Sequence, residues 1–361
     1  MKRWIKNLQT SQKYEKGLVS VVMSNYNTPV HYLKLSIDSV LTQIYPNFEF
    51  IIIDDGSTDN SLELIKSYDD PRIRLICNES NLGLTKSLNL GIKLSKGEFI
   101  ARMDSDDICY PERFEEQVAY LRANEDVIVC GSWVDVIDEN GHKKQKHGYC
   151  DVIPDMESYR ICLLFGNNPT IMHPSTMINH RLLSDYHIAY HEEYRYAQDY
   201  RLWISCAKHA SCTIIPKHLI QYRRHNKAIS AAKRKGQTDC AYRIIQEQLD
   251  ALHLRLTDNV IPFHHRLLYR NWDGHDLKIK EWLKTIIRAN RKYRVYNQKK
   301  LKKILWNKWA MICYKEIEHS AFLTRCYIIK TMPVSSILTM LKLHRNKKRG
   351  VDTYNPYDGS I

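Results

Sequence analysis

Two apolar runs that each end in carboxylates constrain this chain more than any other feature. The first is Ile51-Ile52-Ile53-Asp54-Asp55-Gly56-Ser57 and the second closes on Met103-Asp104-Ser105-Asp106-Asp107. Short unbroken apolar runs bounded by turn residues suit strands buried on both faces, as in parallel sheets. If both strands belong to one parallel sheet, their acids gather along its carboxyl-terminal edge, where open α/β sheets bind ligands. One cluster can then hold a base and ribose, and the other a divalent cation carrying phosphates.

The flanking pattern supports such a sheet. From Leu18 to Trp133 strand-like and helix-like segments alternate, as repeated βα units do. The expected strands are Leu18–Met23, Phe48–Ile53, Ile73–Ile76, Phe99–Met103 and Val127–Trp133. Pro29 opens the first helix, where its missing N–H costs nothing. Leu33, Ile37, Val40, Leu41 and Ile44 fall on one face of that helix, and Pro46-Asn47 ends it. Ser57 or Asp59 caps a helix running to Tyr68, Leu84–Leu94 is a helix closed by Gly97, and Pro111 starts another with Phe114, Val118 and Leu121 inward. Residues 138–175 read as loop-rich with a helix around 155–165. Glu192–Lys208 reads as helix, and Cys212–Ile215 and Leu219–Tyr222 as short strands. Beyond Asn226 the pattern is wholly helical. Ile279, Trp282, Leu283, Ile286 and Ile287 form one amphipathic face, and Leu301, Ile304, Leu305, Trp309 and Ile312 another.

Charge divides the chain. The net charge of +14 comes almost entirely from residues 226–361, which hold 28 Lys and Arg against 11 Asp and Glu; residues 1–150 hold 18 against 22. The basic third is suited to an anionic membrane surface, nucleic acid or a pyrophosphate-bearing substrate. Ten cysteines without a CxxC pair point to buried, reduced thiols. The start lacks the apolar core of a secretory signal. No uncharged run approaches the roughly twenty residues a membrane helix needs; Ala321 to Leu343 is interrupted by Arg325, Lys330, Pro333 and Lys342. The expected location is cytoplasmic, with peripheral contact at the inner face of the cell membrane.

The ordered set of motifs resembles the inverting nucleotide-sugar glycosyltransferases of family 2, which have the GT-A fold. The resemblance rests on Val19–Asn27, Ser39–Gln43, Asp54-Asp55-Gly56-Ser57-Thr58-Asp59, Asn81-Leu82-Gly83-Leu84, Lys96–Ile100 and Met103–Asp107, and it covers roughly residues 18–225. It implies a Rossmann-like, mixed, mainly parallel sheet flanked by helices. The implied organisation is a lead-in at 1–17, a GT-A domain at 18–225, a basic helical region at 226–343 and a polar, basic tail at 344–361.

Roles follow from the same resemblance. Asp104, Asp106 and Asp107 would hold Mn²⁺ or Mg²⁺, with Asp107 the main ligand and Asp106 also near the ribose. Asp55 would accept the N3–H of a uracil, Ser24 and Tyr26 would flank the base, and Lys86 lies where the family often carries a basic residue near the nucleotide. Gln198-Asp199 resembles the family's Glu-Asp helix start, which makes Asp199 the general base toward the acceptor hydroxyl. His173, Arg223, Arg224 and His225 resemble stretches beside the diphosphate and the acceptor. Taken without the family, Asp106 and Asp107 fit a solvated acidic turn equally well, Asp54 merely orders its turn, and Asp199 suits the first turn of a helix.

The expected function is transfer of a sugar from a UDP-sugar to a hydroxyl of a lipid-linked glycan in bacterial surface polysaccharide synthesis. The alternative is a non-catalytic nucleotide-sugar or nucleic-acid binding protein using its basic end. No zinc-finger spacing, RNP-like run or GXXG loop supports nucleic acid as a partner. The turn Ser24–Pro29 lacks the glycines of a dinucleotide site.

Overall fold

The computed structural model describes residues 14–144, 151–166, 171–225, 234–268, 277–319, 337–341 and 345. The five expected strands all form, somewhat longer than their apolar cores: β1 Glu15–Asn25, β2 Phe48–Asp54, β3 Ile73–Cys77, β4 Gly97–Asp104 and, after a short β5 at Ile108–Cys109, β6 Val127–Ile137. Two further strands follow, β7 Met177–Asn179 and β8 Ser211–Arg223. They make one eight-stranded sheet in the order β3-β2-β1-β4-β7-β6-β8-β5. β1, β2, β3 and β4 run parallel, β7 is antiparallel to both β4 and β6, β6 and β8 are parallel, and β5 is antiparallel to β8. The architecture is the mixed, mainly parallel sheet with flanking helices read from the sequence.

The chain separates into two compact units. The first comprises Met1–Cys150, Met172–Arg195 and His209–His225, and the second Asp151–Ile171, Tyr196–Lys208 and Asn226–Ile361. In the first unit, α1 (Val30–Leu41), α2 (Ser61–Lys66), α3 (Leu84–Leu94), α4 (Arg113–Ala123) and the short α6 (His180–Asp185) accompany the sheet. Val19, Val21, Met23, Phe50 and Ile52 pack with Leu33, Ile37 and Val40 of α1, all at 0% exposure. Each such side chain contributes about 1.5–3 kcal/mol on burial.

Several details depart from the sequence reading. α1 stops at Leu41, so Ile44 leaves the helical face and is 59% exposed. Gln43 is buried in its place. Its amide donates to Tyr110 O at 2.7 Å and accepts from Phe114 N at 3.0 Å, tying α1 to α4. Cys212–Ile215 and Leu219–Tyr222 are one strand, β8, whose register against β6 slips near Pro216 rather than breaking. Pro216 lacks the N–H a regular ladder needs, and a bulge absorbs that. The helix expected from Glu192 begins only at Gln198, because Glu192–Tyr194 winds as a 3₁₀ turn.

The second unit is helical among its described residues: α5 Met156–Leu163, α7 Gln198–His209, α8 Arg234–Asp250, α9 Ile261–Leu268, α10 Leu277–Tyr293 and α11 Gln298–His319. Asp155 caps α5 by accepting from Ser158 N at 2.8 Å. The two apolar faces expected on α10 and α11 are buried, with Trp282 and Trp309 inside the unit's core. Those stripes are therefore internal packing and are not offered to a membrane. His264, fully buried, donates from Nε2 to Leu164 O at 3.0 Å and accepts from Trp282 Nε1 at 3.1 Å through Nδ1. No helix among the described residues is long and apolar enough to cross a membrane. Of the cysteines described, Cys77 is exposed and the others are buried, all as free thiols.

Candidate active site

The strand order reverses between β1 and β4, which puts a topological switch point at their carboxyl ends. Ser24 stands there, opposite Ile53 on β2 and Asp104 on β4. Both acid clusters lie on this edge, two strand spacings apart, or about 10 Å.

Asp54 and Asp55, although adjacent, do different work. Asp54 is 1% exposed. Its carboxylate accepts from Asn25 Nδ2 at 2.8 Å and from Ser57 N at 3.0 Å, closing the turn after β2. Buried Asn25 extends the clamp to Ser61 Oγ at 3.0 Å. Gly56 has φ +74°, and a Cβ there would lie 2.7 Å from the Ser80 carbonyl carbon. The turn thus presses against the loop before α3, and only glycine allows that approach. Asp55 reaches into the same loop. One oxygen accepts from Asn78 Nδ2 at 2.7 Å and Leu82 N at 3.0 Å, the other from Gly83 N at 2.8 Å. With about four lone-pair directions on a carboxylate, one remains, on Oδ2, for an outside donor. Tyr26 is 49% exposed at the mouth of this edge. Lys86, exposed on α3, stands 4.0 Å from Glu192, a separation at which a surface pair contributes little.

The second cluster is tighter. One carboxylate oxygen from each of Asp104, Asp106 and Asp107 lies within 4.8 Å of the other two. Asp104 is paired with the Arg102 guanidinium. Asp106 accepts from His225 Nε2 at 2.8 Å. Asp107 is fully buried and accepts from Arg223 N at 2.8 Å through Oδ1, whereas its Oδ2 has no hydrogen-bond partner. Burial, reinforced by the charges of Asp106 and Asp104, holds the Asp107 carboxyl well above the usual carboxylate range. Burial also raises Asp104, against the pull of Arg102. A buried, unpaired carboxylate oxygen beside two more acids is unstable as a group of anions, and a hard divalent cation satisfies it. The residues fit such an ion.

Arg223 and His225 therefore belong to the acid cluster. Arg223 donates from Nε to Asp106 O at 2.9 Å and from Nη1 to Asp138 O at 3.1 Å, and its guanidinium carbon lies 4.4 Å from the Tyr32 ring centre. Only Nη2, buried and without a partner, remains for a ligand. Arg224 is exposed and its backbone N–H bonds Ile137 O. His173 pairs through Nε2 with the Tyr190 hydroxyl at 2.6 Å. Burial, with the nearby Arg102 charge, pushes its imidazole well below the usual value, so it is neutral at pH 7. Tyr190 is fixed in turn by reciprocal bonds to Asn89 of α3 at 2.9 and 3.1 Å. Asp199 belongs to the second unit, where it is the second residue of α7 and half-buried. Its neighbour Gln198 is buried, with an unpartnered Oε1.

Some structural contributors escaped the sequence reading. Arg113 is 0% exposed and bonds Arg102 O at 2.8 Å, Thr176 O at 3.1 Å and Gln117 Oε1 at 3.0 Å, with no carboxylate in contact. Its charge instead favours the ionised form of Asp104 at longer range. Arg102 carried a signal, as a cation inside the apolar run Ile100-Ala101-Arg102-Met103, whereas Arg113, between Glu112 and Phe114, carried none. Asn25 and Asn78 had no such mark, since asparagines at strand ends are common in turns, and Asn89 is a single polar residue in the middle of α3.

Comparison with known proteins agrees with this geometry. The pattern of glycosyl transferase family 2 matches residues 20–186, which include both acid clusters. An uncharacterized glycosyltransferase of Methanocaldococcus jannaschii is 36% identical over 63% of this chain and 78% of its own length. The Escherichia coli protein WfgD, a UDP-Glc:alpha-D-GlcNAc-diphosphoundecaprenol beta-1,3-glucosyltransferase, is 30% identical over 70% of this chain and 97% of its own. The crystal structure of S. aureus TarS residues 1–349 shares the fold, with a TM-score of 0.52 over 92% of this chain at 17% identity. Relatives above 30% identity that are matched over most of their length, with a family pattern that spans both acid clusters, make the chain a glycosyltransferase of family 2.

Proposed function

We propose that this enzyme transfers a sugar, with inversion, from a UDP-sugar to a hydroxyl of a lipid-linked glycan during bacterial surface polysaccharide synthesis. The observation that carries the reading is the buried, orphaned Asp107 Oδ2 in a carboxyl clustered with those of Asp104 and Asp106 at the switch point. The similarity to WfgD supports both the donor and the acceptor class.

Asp104, Asp106 and Asp107 would hold Mn²⁺ or Mg²⁺, which neutralises charge on a departing diphosphate. Arg102 and His225 orient two of those acids, and Arg223 fixes the third through its backbone N–H. Asp55 builds the base pocket by ordering Asn78–Gly83 and keeps one acceptor direction for a uracil imide. Ser24 and Tyr26 border that pocket, and Lys86 stands at its rim. Neutral His173 offers a hydrogen bond to the acceptor side, joined by Arg224. Asp199 takes the proton of the attacking hydroxyl. The glycosyltransferase domain spans 18–225 and the basic helical region 226–343 accompanies it, in a protein working at the cytoplasmic side.

The test is UDP release from a panel of UDP- and GDP-sugars with Mn²⁺, with and without EDTA. UDP-sugar turnover that EDTA abolishes is expected. Asp199→Asn is expected to stop transfer and leave UDP affinity unchanged. Turnover insensitive to EDTA rejects the metal role, and turnover retained in the Asn variant rejects the base.

A further inference from the structure

Between Glu281 and Glu316 the chain contains eleven Lys and Arg and no acid. This stretch forms the end of α10, a tight turn and most of α11. The apolar sides of both helices are consumed inside the second unit, by Trp282, Leu283 and Ile286 on one and Leu301, Leu305 and Trp309 on the other. Lys308 is buried over the Phe165 ring, but most of the other cations are left outside. Arg288, Arg291, Lys292, Arg294, Lys299 and Lys303 are all exposed. Of the cations in this stretch, Lys284 bonds Glu281 at 2.7 Å and Lys300 bonds Asp155 at 2.8 Å.

The corner between the helices is rigidly built. Asn290, 1% exposed, donates to Tyr296 O at 2.9 Å and to Gln298 Oε1 at 2.6 Å, and accepts from Tyr296 N at 2.8 Å. Asn297 caps α11 through Lys300 N at 3.0 Å. Two features of the corner oppose local stability. Arg294 has φ +55°, a conformation that favours glycine. Lysines 299, 300, 302 and 303 crowd the start of α11, whose first turn has no acid, at the positive end of its dipole. Cations held at such positions on a preformed surface suit an external polyanion.

We infer that the α10–α11 corner docks electrostatically on an anionic bilayer, without inserting apolar side chains. The choice of a lipid surface over other polyanions rests on the lipid-linked acceptor proposed above. It is also favoured by the aromatic residue at the corner. Tyr293 is already stacked on His253 at 4.1 Å and covered by Lys292, so it offers no open platform for bases.

The test is co-sedimentation of the full chain with vesicles of equal parts phosphatidylglycerol and phosphatidylcholine, against pure phosphatidylcholine, without donor or metal. Binding only to the anionic vesicles, lost at high salt, is expected. Each cation near such a surface changes partition about fivefold, so removing three lowers it roughly 100-fold. The corner variant is Arg291→Gln with Lys292→Gln and Lys299→Gln. The control, Lys66→Gln with Lys93→Gln and Lys96→Gln, removes the same charge from exposed sites of the first unit and is expected to bind as wild type. Circular dichroism melts check that both remain folded, and UDP release is expected to be unchanged in both. Equal loss in the two variants, binding to neutral vesicles, or no vesicle binding overturns the inference. Tighter binding to duplex DNA than to vesicles also overturns it. Because vesicle binding needs no turnover, failure here is distinct from failure of the transferase reading.

Discussion

Asp107→Asn is expected to make the metal-free protein more stable and the metal-loaded protein less so. Asp107 is fully buried, one of its oxygens lacks a partner, and two further carboxylates lie within 4.8 Å. An unsatisfied buried polar group costs about 1–3 kcal/mol, and more when charged. The asparagine removes one of three like charges and places an N–H₂ donor where those neighbours can accept it. A gain of about 2 kcal/mol raises Tm by roughly 4–8 °C for a domain of this size. Metal acts the other way. A cation at a hundred times its Kd stabilises the wild type by about 2.7 kcal/mol, and the variant is expected to lose nearly all of that. The two proteins should therefore exchange rank between EDTA and Mn²⁺ in a thermal melt. The pH dependence has a definite sign. Because the folded Asp107 carboxyl sits well above its unfolded value, its stabilising effect is complete below about pH 4. It is lost as pH rises and the unfolded chain releases its proton first. Metal-free wild type should weaken with rising pH more steeply than the variant. A variant that melts below wild type in EDTA, or that keeps the Mn²⁺ shift, refutes the reasoning.

Three other expectations are independent of that one. Gly56→Ala forces an L side chain to φ +74° against Ser80 and should cost about 2 kcal/mol or more, read as a fall in urea midpoint together with weaker UDP binding; a wild-type midpoint rejects it. Asp55→Asn leaves one of three donors, Asn78 Nδ2, Leu82 N or Gly83 N, without an acceptor, so stability should fall by about 1–3 kcal/mol and UDP affinity at least tenfold by calorimetry. His264 is pushed down to about 4 by burial. The stability this provides is present above the unfolded value near 6.5 and is lost as pH falls toward 4, about 3 kcal/mol in all. Urea melts followed by tryptophan fluorescence should show that slope in wild type and lose it in His264→Gln.

The parallel half of the sheet was legible because its strands are buried on both faces. Ile51–Ile53 and Val19–Met23 therefore carry unbroken apolar runs, and their acids mark where each strand ends. β5 and β7, at two and three residues, are too short to carry any periodicity, and only pairing with distant strands defines them. The face of α1 was right in phase, but Ile44 was assigned to it because nothing local signals that Thr42 ends the helix. At the site, Asp104, Asp106 and Asp107 were readable as a cluster from their spacing. The internal donors to Asp55 were not, because Leu82 and Gly83 act through backbone N–H groups that any residue would supply. The buried role of Arg223 was hidden for a related reason, since its carbonyl partners belong to Asp106 and Asp138 whatever their side chains are. The apolar faces of α10 and α11 were correctly located, but periodicity alone does not say whether such a face meets protein or lipid.

The three-residue β7 imposes an order on synthesis. It supplies the contact between β4 and β6, so β6 leaves the ribosome with neither of its sheet neighbours yet made. The stretch from Ile137 to Met177 takes about 2–8 s to translate at typical rates. During that interval the facing edges of β4 and β6 are open hydrogen-bonding surfaces. They close only when Met177–Asn179 threads between them and Arg113 and Gln117 bond the carbonyls of Thr176 and Ser175. A nascent chain arrested before that point would expose unpaired sheet edges, the templates on which strands from other chains pair.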